Sequence, residues 1–244
     1  MHGLGEHAGR HVATAERLAR QGADVVRFDL RGCGRSDGAK QWIERFDDYV
    51  DDVEAVRHWA ETTLPPRPLV LMGHSLGGAV AIHAAARRPA GLSGVVLSSP
   101  AYLPGGGVSA AKIAVGRLLS RWTPRLRIPG SLDLTAISRD PAVIEAYRKD
   151  ELCCSFNTVR QGDEILKALA TIPAHCARIP VPVLILHGAA DRLVQCEGSR
   201  TILAALGSQD KTLEVFPGGY HELYNDLERE TFYEKVGEFV GRVG

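Results

Sequence analysis

The chain has 244 residues, 45% of them hydrophobic, enough to bury one substantial core, which excludes a disordered or fibrous protein and suits an α/β unit carrying an insertion. Its 29 basic residues balance 29 acidic ones, so no net field favours nucleic acid and no nucleic-acid partner is expected. Five cysteines, an odd set without C-x-x-C spacing, argue against a disulfide framework or a zinc site and for a reducing cytoplasm, and no apolar stretch reaches the roughly 18 residues of a membrane span.

The first feature in chain order is His2-Gly3-Leu4-Gly5, a glycine-bracketed turn ahead of a helical pattern from about Gly9 to Arg20. Ala23 to Asp29 reads as a strand. Arg31 and Asp37, in the glycine-rich stretch that follows, read as turn-stabilising residues. Glu44 to Glu61 reads as a helix, with Phe46, Tyr49, Val50, Val53 and Val56 on one stripe and Asp47, Asp48, Asp51 and Asp52 opposite. Strands are expected at Leu69 to Met72 and Gly94 to Ser98, and again at Val181 to Leu186 and Thr212 to Phe216, with a last helix from about Glu230 burying Phe232, Val236, Phe239 and Val240. Helices alternate with most of these strands, which predicts a mostly parallel sheet covered on both faces.

Residues 101–180 break that rhythm with three glycines at 105 to 107, several prolines and helical patches. They divide the core into residues 1–100 and 181–244 and read as an inserted helical cap. Within it, Val108, Ala111, Val115, Leu118, Leu119 and Trp122 share a helical stripe, and five basic residues but no acidic one lie between Pro104 and Arg127. A lid helix packed over the core is the expected role of that stripe. Peripheral contact with a membrane surface is the alternative.

Chemistry concentrates at three strand ends. Gly73-His74-Ser75-Leu76-Gly77 stands between an apolar strand and an Ala-rich helix, the context of a nucleophile elbow, in which Ser75 occupies a strained turn and the glycines let neighbouring backbone approach. Acyl transfer by serine also needs a base and a carboxylate to orient it, in the order Ser, Asp, His. Asp191, in the loop after Val181 to Leu186, is the expected acid. His221, in the glycine-rich loop after Thr212 to Phe216, is the expected base. The oxyanion is expected to bind the backbone N–H groups of Leu76 and Leu4. His74 is expected to pack beside the elbow. No phosphate-binding loop or histidine pair at ligand spacing is visible, so neither cofactor nor metal is expected.

These residues resemble a known group. His2-Gly3-Leu4-Gly5-Glu6-His7, Phe28-Asp29-Leu30-Arg31-Gly32-Cys33-Gly34-Arg35-Ser36-Asp37-Gly38, the Gly73 to Gly78 elbow, His187 to Arg192 and Tyr220-His221-Glu222 are together similar to the monoacylglycerol lipase and lysophospholipase group of α/β-hydrolases, and the similarity runs through Ile137 to Tyr147 and Ser208 to Leu213. The resemblance implies an α/β-hydrolase fold and a serine esterase acting on a small acyl ester, with monoacylglycerols first and lysophospholipids next. An aminopeptidase-like hydrolase and a non-catalytic fragment of the fold are the rivals. Members of the group carry strands before the His-Gly motif. Met1 stands where the last of these ends, so the sheet is expected to lack a central strand and the start to be misassigned or truncated.

Overall fold

The computed structural model describes residues 1–106, 109–130 and 132–244. A short 3-10 turn leads into α1 (Val12–Arg20); after a long loop rich in turns come α2 (Asp47–Thr63), β1 (Leu69–His74), α3 (Leu76–Arg87) and β2 (Leu92–Ser98). Residues 101–180 then contribute α4 (Ala110–Trp122), β3 (Arg127–Pro129), α5 (Pro141–Lys149), β4 (Phe156–Thr158) and α6 (Val159–Cys176). The chain returns through β5 (Val183–Gly188), α7 (Cys196–Ala205), β6 (Lys211–Phe216) and α8 (Arg229–Val243).

The main sheet is parallel, in the order β1-β2-β5-β6, with Met72 beside Val96, Val96 beside Leu184 and Ile185 beside Leu213. Side chains alternate between its faces. Val95, Leu97 and Ile185 face a cluster that includes Tyr49, Val50, Ile82 and Ile172 from α2, α3 and α6. Val96, Leu184 and Leu186 face a second one with Phe232, Val236 and Phe239 of α8. Burial on both faces explains why these strands read as nearly unbroken apolar runs. This is the α/β-hydrolase architecture expected. Gly188 and Phe216 close β5 and β6 at the same carboxyl edge as His74, so the loops after all three strands meet there.

Two expectations are corrected. Ala23 to Asp29 is extended but forms no strand, and Val25 and Val26 remain 37% and 39% exposed. A strand exists only as part of a ladder, and here a cavity of about 640 Å³, lined by Val25 to Phe28 on one side and Leu69 to Met72 on the other, separates the segment from β1. Along that edge, among the described residues, only Met1 pairs: its amine donates to Met72 O (2.7 Å) and its carbonyl accepts from His74 N (3.0 Å), a parallel register. The second correction concerns α4. Ile113, Leu119 and Ser120 are its covered positions, whereas Val115, Leu118 and Trp122 are 56%, 60% and 72% exposed, so the predicted stripe, Leu119 apart, looks outward. Val108 lies outside the described residues. The insertion also carries a short antiparallel ladder, β3 with β4, that the sequence did not suggest. Arg31 pairs with Asp52 (2.6 Å), in keeping with a role in holding its turn.

Candidate active site

Ser75 sits between β1 and α3 at φ 51° and ψ −118°, a conformation that costs a residue with a side chain roughly 1–3 kcal/mol. Two glycines make the turn fit. A Cβ on Gly73 would stand 2.1 Å from Gly77 O, and one on Gly77 would stand 2.5 Å from the carbonyl oxygens of Met1 and His2. Backbone bonds fix the serine further, Ser75 N donating to Ser98 O (2.9 Å) and Ala101 N to Ser75 O (2.9 Å).

Asp191 follows β5. Its Oδ1 accepts the N–H groups of Leu193 (2.8 Å) and Val194 (2.9 Å), and its Oδ2 accepts His221 Nδ1–H at 2.7 Å. The Asp191 side chain is wholly buried and that of His221 6% exposed. Burial works against the Asp191 charge, but His221, His187 and the backbone donors outweigh it and hold the carboxyl far below the usual carboxylate range. For His221 burial also disfavours the charged form, yet Asp191 and, beyond it, Glu222 and Glu6 raise its pKa above the ordinary histidine value. With Nδ1–H committed to Asp191, Nε2 is the nitrogen left to act as base. The His221 carbonyl accepts from Ser99 Oγ (2.9 Å), which ties its loop to the end of β2 beside Ser75. Among the described residues no hydrogen bond joins Ser75 Oγ to His221, a contact that commonly tightens only around substrate.

The N-terminal turn lies against the elbow: a Cβ on Gly3 would be 3.2 Å from Ser75 Cβ. Leu76 N–H, the first of α3, lacks an intrahelical acceptor. No acceptor for Leu4 N–H is found among the described residues. Neither N–H is thus committed to another acceptor among the described residues, and Gly3, which precedes Leu4, lies against Ser75. His74 is buried, with Nδ1 3.3 Å from Ser98 Oγ and its ring 4.7 Å from that of His221. Burial and the neighbouring His221 push its pKa well below the ordinary value, so it stays neutral.

Several residues of the site escaped the sequence reading. His187 Nδ1 accepts from Ser199 Oγ–H (2.6 Å) while its Nε2–H points to Val194 O (3.0 Å) and Asp191 Oδ2 (3.3 Å), so Ser199 and His187 brace the acid from behind. Arg10 forms two bonds to Glu222 (2.6 and 2.8 Å) and one to Glu6 (2.8 Å). Glu6, His187 and Glu222 stand inside the motifs that carry the resemblance, but their partners show only in the fold, and Arg10 and Ser199 lie outside those motifs. His7, Asp150 and Cys153 place ligand-type atoms within 4.8 Å of one another. His7 Nδ1 accepts Gly9 N–H (3.1 Å), so its Nε2–H is already given to Asp150 (2.8 Å), a hydrogen-bonded arrangement complete without an ion.

No helix among the described residues is long and apolar enough to cross a membrane. The family profile Hydrolase_4, serine aminopeptidase S33, matches residues 1–228. The chain is 34% identical over 240 residues to the monoacylglycerol lipase of Mycolicibacterium smegmatis, covering 98% of this chain and 85% of that one. It is 34% identical to the monoglyceride lipase of Rattus norvegicus, over 94% of this chain and 76% of that one. The crystal structure of Paleococcus ferrophilus monoacylglycerol lipase superposes with a TM-score of 0.93 at 32% identity, covering 100% of this chain and 93% of that one.

Proposed function

The chain belongs to the Hydrolase_4 family, the serine aminopeptidase S33 group of α/β-hydrolases, and from that premise we propose that it is a serine carboxylic-ester hydrolase acting on monoacylglycerols, with lysophospholipids as second substrates. The observation that carries the reading is the buried Asp191–His221 pair, 2.7 Å apart, facing the elbow that strains Ser75. His221 Nε2 takes the Ser75 proton as Oγ attacks the ester carbonyl, and Asp191 holds the imidazolium formed. Leu76 N–H and Leu4 N–H bind the oxyanion. His221 then protonates the departing glycerol oxygen, and water, deprotonated by the same nitrogen, releases the fatty acid from the acyl-serine.

An amidase reading needs a group that holds a free amine. Residues 101–129, the first part of the insertion, contain no carboxylate, which favours the ester. The outward face of α4 and the strand after it, Val115, Leu118, Trp122, Leu126 and Ile128 with Lys112, Arg121, Arg125 and Arg127 alongside, supports a further reading: the insertion rests on an anionic lipid surface from which the acyl substrate is drawn. Residues 101–180 then form a cap over the core halves 1–100 and 181–244.

A fluorophosphonate probe tests the core of the proposal. Labelling of the native chain is expected, abolished in Ser75→Ala, together with hydrolysis of a monoacylglycerol emulsion. A pure, folded Ser75→Ala protein that still cleaved the ester would overturn it.

A further inference from the structure

A buried charge network lies between the N-terminal turn and the loop that carries His221. Its members are Glu6, Arg10 and Glu222, with side chains 3%, 8% and 3% exposed. Arg10 grips both carboxylates, one on either side of the site: Nη1 meets Glu6 Oε2 (2.8 Å) and Glu222 Oε1 (2.6 Å), and Nη2 meets Glu222 Oε2 (2.8 Å). Glu222 adjoins His221 in the chain and is held in turn by Asn225 Nδ2–H (2.9 Å).

At the other end the network reaches the peptides around Leu4. Glu6 Oε1 accepts Gly3 N–H at 2.5 Å. Gly3 is wedged between that carboxylate and the nucleophile, since a Cβ there would stand 3.0 Å from Glu6 Oε1 and 3.2 Å from Ser75 Cβ. Beyond Leu4, Gly5 O accepts from Tyr147 Oη–H (3.2 Å) and Cys154 N–H (2.8 Å), and the Arg10 guanidinium stacks on the Tyr147 ring at 4.4 Å. Arg10 is therefore linked through Glu6 to Gly3 and through Tyr147 to Gly5, the two residues that bracket Leu4, and bonds directly to Glu222, the neighbour of His221. Buried ion pairs are a weak source of stability, because desolvation cancels most of their attraction, whereas a planar guanidinium fork between two carboxylates fixes distance and direction closely.

We propose that Glu6, Arg10 and Glu222 form a positioning strut that sets the Leu4 N–H at the distance from Ser75 and His221 that the oxyanion requires. The inference rests on the serine-hydrolase reading above and assigns it three residues that do not touch the reacting atoms. Misplacement of an oxyanion donor by about 1 Å costs on the order of 10- to 100-fold in turnover while leaving ground-state binding nearly untouched.

The test is steady-state hydrolysis of a monoacylglycerol by Arg10→Lys, Arg10→Met, Glu6→Ala and Glu6→Gln, with active sites counted by fluorophosphonate titration and folding followed by thermal unfolding. Per titrated site, Arg10→Met and Glu6→Ala are expected to lose about 10- to 100-fold in kcat with KM within about threefold, as loss of a transition-state contact does. Glu6→Gln keeps an acceptor for Gly3 N–H and should recover most of the loss relative to Glu6→Ala. Should the apolar variants fail to fold, Arg10→Lys, which keeps the charge and loses the fork, carries the same expectation. A kcat per titrated site within twofold of the native value in the folded variants, with only the unfolding temperature lowered, overturns the strut. Absence of labelling in the native chain would instead strike the serine-hydrolase reading itself, so the two failures are distinct.

Discussion

At the scale of single residues, Asp191 governs how the proposed base behaves. His221 is buried, and burial alone would keep it neutral; the Asp191 carboxylate at 2.7 Å reverses that and raises its pKa above the ordinary value. The base works only when neutral, so kcat/KM is expected to rise with pH along a limb lying above the usual histidine value near 6.5. In Asp191→Asn the imidazole loses both its charge partner and the acceptor that selects the Nδ1–H tautomer. The expected result is a fall in kcat of about 10³- to 10⁴-fold and a residual activity whose acid limb shifts to lower pH, read from a pH–rate profile of each protein. An unshifted limb would show that another group titrates. Ser75, Asp191 and His221 could be picked out from the sequence because each stands in a glycine-marked loop directly after an apolar strand, a local signal. The Arg10–Glu222 pairing could not, for the two meet across 212 positions of chain and the Tyr220-His221-Glu222 motif does not say what Glu222 bonds to.

At the scale of elements, periodicity reported the nature of each segment better than its surroundings. The stripe of α2 is buried at Tyr49, Val50 and Val53 where its period placed it, while Val56, its last member, is only half-buried, and the strands with helices on both faces were legible as apolar runs. Ala23 to Asp29 also holds Val25, Val26 and Phe28 but finds no ladder partner among the described residues, and local composition does not record pairing across the sheet. The stripe of α4 is equally instructive: amphipathic spacing says that two faces differ, not which of them is covered. Here Leu118 and Trp122 face out beside basic residues that form no ion pair among the described residues, in a stretch without acids, and the proposed contact with a lipid surface rests on that arrangement. Sedimentation with vesicles containing anionic lipid is therefore expected for the native chain. It should weaken several-fold in Leu118→Asp, and fall with added salt, since about 1 kcal/mol per basic residue near the surface is electrostatic. Equal sedimentation of the native and Leu118→Asp proteins would leave the exposed face without a lipid role.

At the scale of the whole molecule, the fold stores several histidines in neutral form, and this sets its tolerance of acid. His2 and His83 have pKa values pushed down to about 4, and His74 lies well below the ordinary value, burial being the main cause for all three. The hydrogen bonds agree: His2 Nε2 accepts Leu30 N–H (3.0 Å) while its Nδ1–H donates to Gly3 O (2.8 Å), an arrangement a doubly protonated ring cannot keep. These groups bind protons near pH 6.5 once the chain unfolds but not while it is folded, so their contribution to stability is complete above about 6.5 and is lost as pH falls toward 4. His221 has the opposite sign, its folded pKa being raised, and its contribution is lost only as pH rises above 6.5 through that value. Glu6 and the aspartates at 29, 150, 191 and 226 have depressed pKa values and add their own loss only below 4.5 and 3.8 respectively. The Met1 amine, lowered by burial from 8.0 to about 6, adds a loss of the same sign at the upper end. From there down to pH 4.5 the buried histidines act almost alone, each contributing a slope of up to about 1.4 kcal/mol per pH unit. Urea unfolding midpoints measured at pH 6.5, 5.5 and 4.5 are expected to fall steadily, and His83→Phe, which removes a titrating ring packed against Phe46 without touching the candidate site, should flatten the decline. Midpoints that stayed level across this interval would mean that these rings remain able to take up protons in the folded chain.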